Sequence, residues 1–542
     1  MTNKKIIEND YIVLGIIGCL LGILSFLFVY GTKIINFTYD GWLMNDGMDL
    51  MQHYVGWCHY RNTPWQFPLG LINSLSEPFS MSVVYTDSIP LFAVIFKLFS
   101  RILPVRFQYF GLFGLLCFAL QGALSAILIR IFTNKKVVCI LGSLLFIFSF
   151  PLLQRMFYHT ALGAQWIILL ALIIWFTLDL NNTKRSVVIW GVLGFFCVSI
   201  HSYFVFMTGI ILILSVVEFY VTNKQIKKCV VPVVSFIICS FINLYLLGGF
   251  YGESNVSGYG FGLFNANLTA FINPLDHGTV FEGMKLYNDF EYEGFAYLGA
   301  GVLIVLLALF ICVIAKKIVI PLSIRKKLII SGIIFSSFIA IFPNFDFAGI
   351  KIIHIPLPGI INSILGICRT NGRFMWIAYY LILLSVIAMV APYIETGVVP
   401  FLVSVAIVIQ GYDLSGEIKE KHHYYREETK YESVWTQFES LNLFENKDKF
   451  VFLYNDGDIM MDTALYAYLH NMSQNIFYYA RPIDESVNNE IECIKKDISD
   501  GKIDESAIYI LRYSDVTDDI LDDFKKCDAI EYYFENHMIF SK

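Results

Sequence analysis

The feature that most constrains this chain is a series of apolar runs that recurs from Tyr11 to about Gly411 and stops after Asp413. At ~1.5 Å per helical residue, such runs are long enough to cross most or all of a ~30 Å hydrocarbon core. With 56% hydrophobic and 15% charged residues, a 542-residue chain holds far more apolar side chain than a soluble fold can bury. The expected class is an all-α polytopic membrane protein, because in lipid every backbone polar group must be satisfied within its own segment. Eleven spans are expected, at about 11–30, 107–132, 137–151, 161–180, 187–202, 204–221, 229–250, 295–315, 328–343, 374–391 and 397–411.

Charge divides the chain at the same place. Residues 413–542 hold 28 of the 45 acidic and 14 of the 39 basic residues, a net charge of −14 that leaves +8 on the membrane part. An acidic tail argues against nucleic acid and against anionic lipid headgroups as partners. The tail reads as a small α/β domain, with strands at Phe450 to Tyr454, Asn475 to Tyr479 and Ala507 to Leu511 and helices near 459–470, 483–499 and 515–526. It carries no phosphate-binding or metal motif. Two domains are therefore expected, 1–412 and 413–542.

Basic clusters around Arg130, Lys135 and Lys136, at Lys184 and Arg185, at Lys224, Lys227 and Lys228, and from Lys316 to Lys327 are separated by pairs of spans, so they share one side. The positive-inside rule makes that side cytoplasmic together with Lys4 and Lys5. Those two lysines precede the first run as a signal sequence would have them, but no small-residue cleavage site follows, so the run is expected to persist as a span. Ile89 to Leu103 would invert every later cluster if it crossed. It is expected to lie in the interface instead, capped by Asp87, with Lys97, Arg101 and Arg106 snorkelling to headgroups. The tail is expected outside the cell, a placement that rests on the turn near Pro392 with Glu395 lying between two spans. The 11 cysteines are scattered and show no metal-like pairing, which points to packing.

With this topology the unusual polar residues fall in four extracytoplasmic segments. In residues 31–106, Asp46, Asp49 and His53 follow one face of a helix if Asn45 caps it. A desolvated carboxylate there can take a proton from an attacking hydroxyl, although a solvated helix start explains the same spacing. Arg155 and His159 lie one turn apart at a span end, with His201 at the same depth, where ionisable groups are costly unless paired or used. The aromatic, glycine-rich loop 251–294 ends in Glu291 and Glu293, and its rings suit stacking on sugars as well as an interfacial belt. Last, CRTNGRFMW places Arg369 and Arg373 one turn apart, and guanidinium forks bind phosphate oxygens.

The stretches DLMQHYVGWCHYRNTPWQFPLG, YTDSIPLFAVIFK, FQYFGLFGLLCFALQG, HSYF, YEGFAYLG and RTNGRFMW resemble those of a bacterial membrane family related to the GT-C glycosyltransferases. The resemblance spans the membrane part and continues weakly into the tail. It implies a GT-C-like bundle in the bacterial plasma membrane, interfacial helices in the first extracytoplasmic loop, and a polyprenyl-phosphate sugar donor used outside the cell on a glycan acceptor. Asp49, with Asp46 as deputy, matches the family's base. Arg369, Arg373 and Arg155 fall to the donor phosphate, and His53, Asp87, His159, His201 and Glu293 to the substrate pocket. No metal or other cofactor is expected, since the phosphate is already a competent leaving group, although Asp46, Asp49 and Asp87 are the carboxylates a metal-using variant would need. The rival class is a transporter or flippase of lipid-linked glycans, but no internal repeat and no mid-depth acid between 107 and 343 supports it.

Overall fold

The computed structural model of the protein describes residues 2–45, 48–251, 261–315, 321–389, 397–454, 457, 459–481 and 483–542. Asp46, Lys316, Lys317, Pro392 and Glu395 lie outside the described residues, as does the stretch 252–260. The chain forms two compact units: Met1–Asn36, Tyr109–Phe241 and Val256–Glu427 make the first, and Phe37–Gln108, Ile242–Asn255 and Glu428–Lys542 the second. The loop 31–106 and the acidic tail, read above as parts of separate domains, thus belong largely to one body. The second unit takes up the chain again at Glu428. The helix Val398–Asp413 bends by 54° into Ser415–Tyr424, and this extension packs back on the first helix, where His422 Nδ1 lies 2.8 Å from the Phe28 carbonyl oxygen.

Among the described residues of the first unit, six helices are long and apolar enough to cross a membrane: Asn9–Tyr30, Phe110–Phe132, Lys136–Arg155, Thr160–Thr177, Thr183–Ile200 and Tyr203–Asn223. Ile226–Leu246, shared between the units, is the seventh. Two bent pairs, Gly359–Cys368 with Asn371–Ile387 and Val398–Asp413 with Ser415–Tyr424, raise the number to nine. With seven to nine such helices among the described residues, the chain is a multi-pass membrane protein. The other two expected spans do form helices. Ala300–Ala315 is short at 16 residues, and Ile324–Ile341 opens on Arg325, Lys326 and Lys327, which dilute its apolar run.

The first two spans approach closely because glycine removes the intervening side chains. A Cβ on Gly18 would stand 2.2 Å from the Gly122 carbonyl oxygen and one on Gly22 2.0 Å from that of Phe118. This is the close backbone crossing that a GxxxG spacing permits in lipid. Ile12, Ile16, Leu20, Leu24 and Phe28, spaced four apart, are exposed on the opposite face.

In the second unit the five-stranded sheet runs in the order Ser473–Gln474, Lys449–Phe452, Ala507–Arg512, His537–Ser541, Ile530–Phe534. The first three strands are parallel and the last two antiparallel. Period-two alternation explains its two cores: Phe450, Phe452, Ile508 and Ile510 pack on one face with Trp435, and Val451, Tyr509 and Leu511 on the other with Phe524. The helices Met460–Leu469, Asp484–Ser499 and Asp518–Lys526 occupy the expected places. The second strand forms earlier than expected, and the closing hairpin Ile530–Ser541 was not expected at all.

Candidate functional site

The polar centre of the first unit is Glu293, at the end of the 3-10 helix Asp289–Gly294. Arg155 Nη2 and Arg373 Nε each lie 3.0 Å from its Oε2, and His159 Nε2 is 3.6 Å from Oε1. Arg155 closes the short helix Phe150–Arg155, whose start holds Pro151. Arg373 arrives through the TNGR turn. Asn371 Nδ2 donates to the Ile339 and Ala340 carbonyls, 2.9 and 3.2 Å away, and Gly372 lies so close to the other segment that a Cβ would meet Gly294 Cα at 2.8 Å. Glycine on both sides of that contact lets Arg373 reach Glu293.

All of these groups are buried or nearly so, and Arg155 is wholly enclosed. Burial pushes the Glu293 carboxyl upward, but the guanidinium groups of Arg155 and Arg373 outweigh it and hold the group well below the ordinary glutamate range. Among the described residues Arg155 Nε and Nη1 have no hydrogen-bond partner. Instead the rings of Tyr292, Trp376 and Tyr158 surround the guanidinium at 5.6, 5.7 and 5.9 Å. Two guanidinium groups share one carboxylate, so the cluster is cationic in sum and chemically suited to an anion.

Arg373 also lies 4.8 Å above the Tyr203 ring. The Tyr203 hydroxyl accepts a hydrogen bond from Thr370 N at 2.8 Å, and His201 Nδ1 accepts one from Tyr203 N at 3.2 Å. The structure therefore gathers Arg155, His159, Glu293 and Arg373, and links His201 to them through Tyr203. Arg369 is exposed, 5.9 Å from the Phe264 ring, and is outside this contact set.

Two residues before Glu293, Glu291 is equally buried in different company. Its Oε2 accepts from Asn267 Nδ2 and Tyr287 N at 2.9 and 3.0 Å, and its carboxyl meets that of Asp346. Burial and the neighbouring Asp346 carboxyl outweigh the two donors and raise Glu291 to about 7. Sequence reasoning missed this pair. Asp346 is the one acid in an apolar stretch, and only the hairpin Asn344–His354 brings it inside. Asp413, read as a boundary residue, is a buried anchor that accepts from Thr279 N, Val280 N, Ala300 N and the Tyr297 hydroxyl at 2.8–3.0 Å.

The other expected residues lie in the second unit, apart from Asp46, which is outside the described residues. Asp49 is in the first turn of the helix Met48–Asn62 and half-buried, while His53, one turn on, is fully buried. Asn45 ends the short helix Gly41–Met44. His53 and Asp87 bring a ring nitrogen and a carboxylate oxygen within 4.8 Å of one another, two of the donors a metal centre needs. Asp87 does not cap the helix Pro90–Lys97. It closes the preceding 3-10 turn at φ +50°, and the cap position is Ile89, with no side-chain bond. Nor does Lys97 snorkel: it is buried, its Nζ 3.9 Å from the Tyr60 ring centre and 4.8 Å from that of Trp65, and burial lowers it to about 8. The same helix is shorter than expected, since proline starts it but nothing prolongs it past Lys97.

His59 and Arg61, unremarked in the sequence, bind this unit together. His59 Nδ1 lies 2.7 Å from Ser74 Oγ and its Nε2 2.7 Å from the Ala464 carbonyl oxygen. Arg61 donates to the carbonyls of Ser100, Leu103, Pro104 and Val105 at 2.7–3.2 Å.

No curated protein compared with this chain matches it. Two family models do: one described as the DUF6311 C-terminal domain over residues 441–535, which is most of the sheet domain, and one described as a domain of unknown function, DUF6311, over residues 19–415. The longer match covers the membrane helices and every residue of the Glu293 cluster, and with it the chain belongs to the DUF6311 family.

Proposed function

We propose that this protein is a membrane glycosyltransferase that uses a polyprenyl-phosphate sugar on the extracytoplasmic side of the bacterial plasma membrane. The observation that carries the reading is the convergence of Arg155 and Arg373 on Glu293 at the ends of the helices. A phosphate approaching this cluster meets an excess of guanidinium, and His159 is a further donor beside it. Glu293 holds both arginines in place before the anion arrives, which lowers the ordering cost of binding.

In the reaction, the acceptor hydroxyl oxygen attacks the anomeric carbon and the bond from that carbon to the phosphate oxygen breaks. The hydroxyl proton passes to a carboxylate, and polyprenyl phosphate leaves with both bonding electrons. The resemblance given above assigns the carboxylate to Asp49. Arg155 and Arg373 neutralise charge that grows on the departing phosphate, so their contribution is larger in the transition state than in the ground state.

The test is transfer of labelled sugar from a synthetic polyprenyl phosphate in proteoliposomes. Asp49→Asn is expected to abolish transfer while donor binding persists. Arg373→Ala is expected to weaken donor binding by about 2–5 kcal/mol, the range for removing one partner of a desolvated charge pair. Transfer retained by Asp49→Asn removes that residue as the base, and unchanged donor affinity in Arg373→Ala removes the phosphate role of the cluster. Movement of intact donor across the bilayer with no bond broken would support the transporter reading in its place.

A further inference from the structure

One hairpin of the first unit, packed on one strand by Asp346, and the helix after it carry a group of exposed isoleucines. The two-stranded hairpin Asn344–Phe347 and Ile350–His354 is followed by the seven-residue helix Gly359–Leu365. In the second strand every residue is exposed, so Ile350 and Ile352 on one face and Ile353 on the other are uncovered together. The helix buries none of its residues, with Ile360 78% and Ile364 62% exposed. After a 57° bend the chain continues as Asn371–Ile387, where Met375, Trp376, Ile377 and the next several residues are buried.

We infer that this hairpin and helix are embedded in the interfacial zone of the bilayer as a lipid contact, so that Gly359–Cys368 is the part of its bent pair that does not cross. The exposed isoleucines stand beside polar residues, Ile353 on the strand face of Lys351 and Ile360 and Ile364 on a helix that also carries exposed Ser363, and this mixture is that of an element at a lipid–water boundary. The depth is limited by the backbone: among the described residues no strand pairs with the outer edge of Ile350–His354, and unpaired backbone groups are not tolerated in the hydrocarbon core. Polar groups frame the element accordingly. Lys351 Nζ is 5.8 Å from the Tyr287 ring centre, and exposed Arg369 follows the helix, positions from which cations reach headgroups. The inference stands whether or not the protein transfers sugar.

The test uses full-length protein in nanodiscs of phosphatidylethanolamine and phosphatidylglycerol, with p-benzoylphenylalanine placed singly at Ile353, Ile360 or Tyr533. Tyr533 is 64% exposed on the sheet domain and serves as the comparison. Irradiation and mass spectrometry are expected to give phospholipid adducts at positions 353 and 360 several-fold above those at 533. Adduct levels equal to those at 533 overturn the inference, and so do crosslinks from 353 and 360 to protein in place of lipid. Because each replaced side chain is exposed, the probes leave packing intact, and thermal unfolding of each labelled protein checks this.

Discussion

Glu291 and Glu293 sit two residues apart on one 3-10 helix and are buried to the same degree, 2% and 3% exposed, yet their carboxyl groups are driven in opposite directions. Glu293 faces two guanidinium groups and is held ionised. Glu291 faces two neutral amide donors and another carboxyl, and is raised to about 7. Burial pushes both acids upward, and only where guanidinium groups stand beside the carboxylate is that push reversed. The sign is decided by which charges long-range packing places beside it.

The largest effect is expected from breaking the ionised side of this comparison. Glu293→Gln leaves Arg155 and Arg373 buried without their counter-charge and is expected to cost about 3–5 kcal/mol, read as a lower thermal unfolding midpoint in detergent. Adding Arg155→Met to that variant should recover part of the loss, with a coupling of about 0.5–3 kcal/mol. Strict additivity of the two changes would show that the ion pair is not the source of the cost.

The pH dependence sharpens the contrast, because the two acids contribute with opposite sign. Glu293 is depressed on folding, so its stabilisation is present above the ordinary glutamate value of 4.5 and is lost as pH falls below it. Glu291 is raised, so its contribution is complete below 4.5 and is lost as pH rises through about 7. Unfolding midpoints measured from pH 5 to 8 should therefore contain a downward component that Glu291→Gln removes. A profile identical in the variant would mean that Glu291 does not bind a proton in this range.

Asp346→Asn is a milder probe of the same site. It replaces a carboxyl with an amide beside Glu291, and the same downward component should shrink but persist, because burial still raises Glu291, while stability at neutral pH changes by about 1 kcal/mol or less. The smallest change is expected for Arg369→Ala. Arg369 is exposed and outside the Glu293 contacts, so its loss should shift stability by no more than about 0.5 kcal/mol. A shift as large as that of Arg373→Ala would place it inside the charge network.

Much of this was legible in residues read one after another. Apolar runs marked the membrane helices, with ends within a few residues for Phe110–Phe132 and Thr160–Thr177, because a span is a local property of composition. Period-two patterning located Ala507–Arg512, and helical periodicity located Asp484–Ser499. The polar residues at the helix ends stood out as Arg155, His159, Glu293 and Arg373, since ionisable groups are expensive there. Their roles did not. Glu293 was read as a pocket residue and Arg373 as a phosphate ligand, but nothing in EYEGF or TNGRF says that one neutralises the other. Asp87 looked like a cap because it precedes Pro90, yet the backbone turns left-handed at both Asp87 and Ile89, and that geometry removes the side chain from the helix start.

By itself the sequence determined that this chain resides in a membrane, which segments become helices, and that an acidic α/β tail follows them. Those properties depend on neighbours within a turn or two. Only the tertiary structure decided that Arg155 and Arg373 meet one carboxylate across 138 and 80 residues of chain, that Asp346 comes to lie against Glu291, and that the loop after the first helix joins the tail. A side chain's charge and hydrogen bonds follow from what packs against it in space, and spacing along the chain carries no record of that.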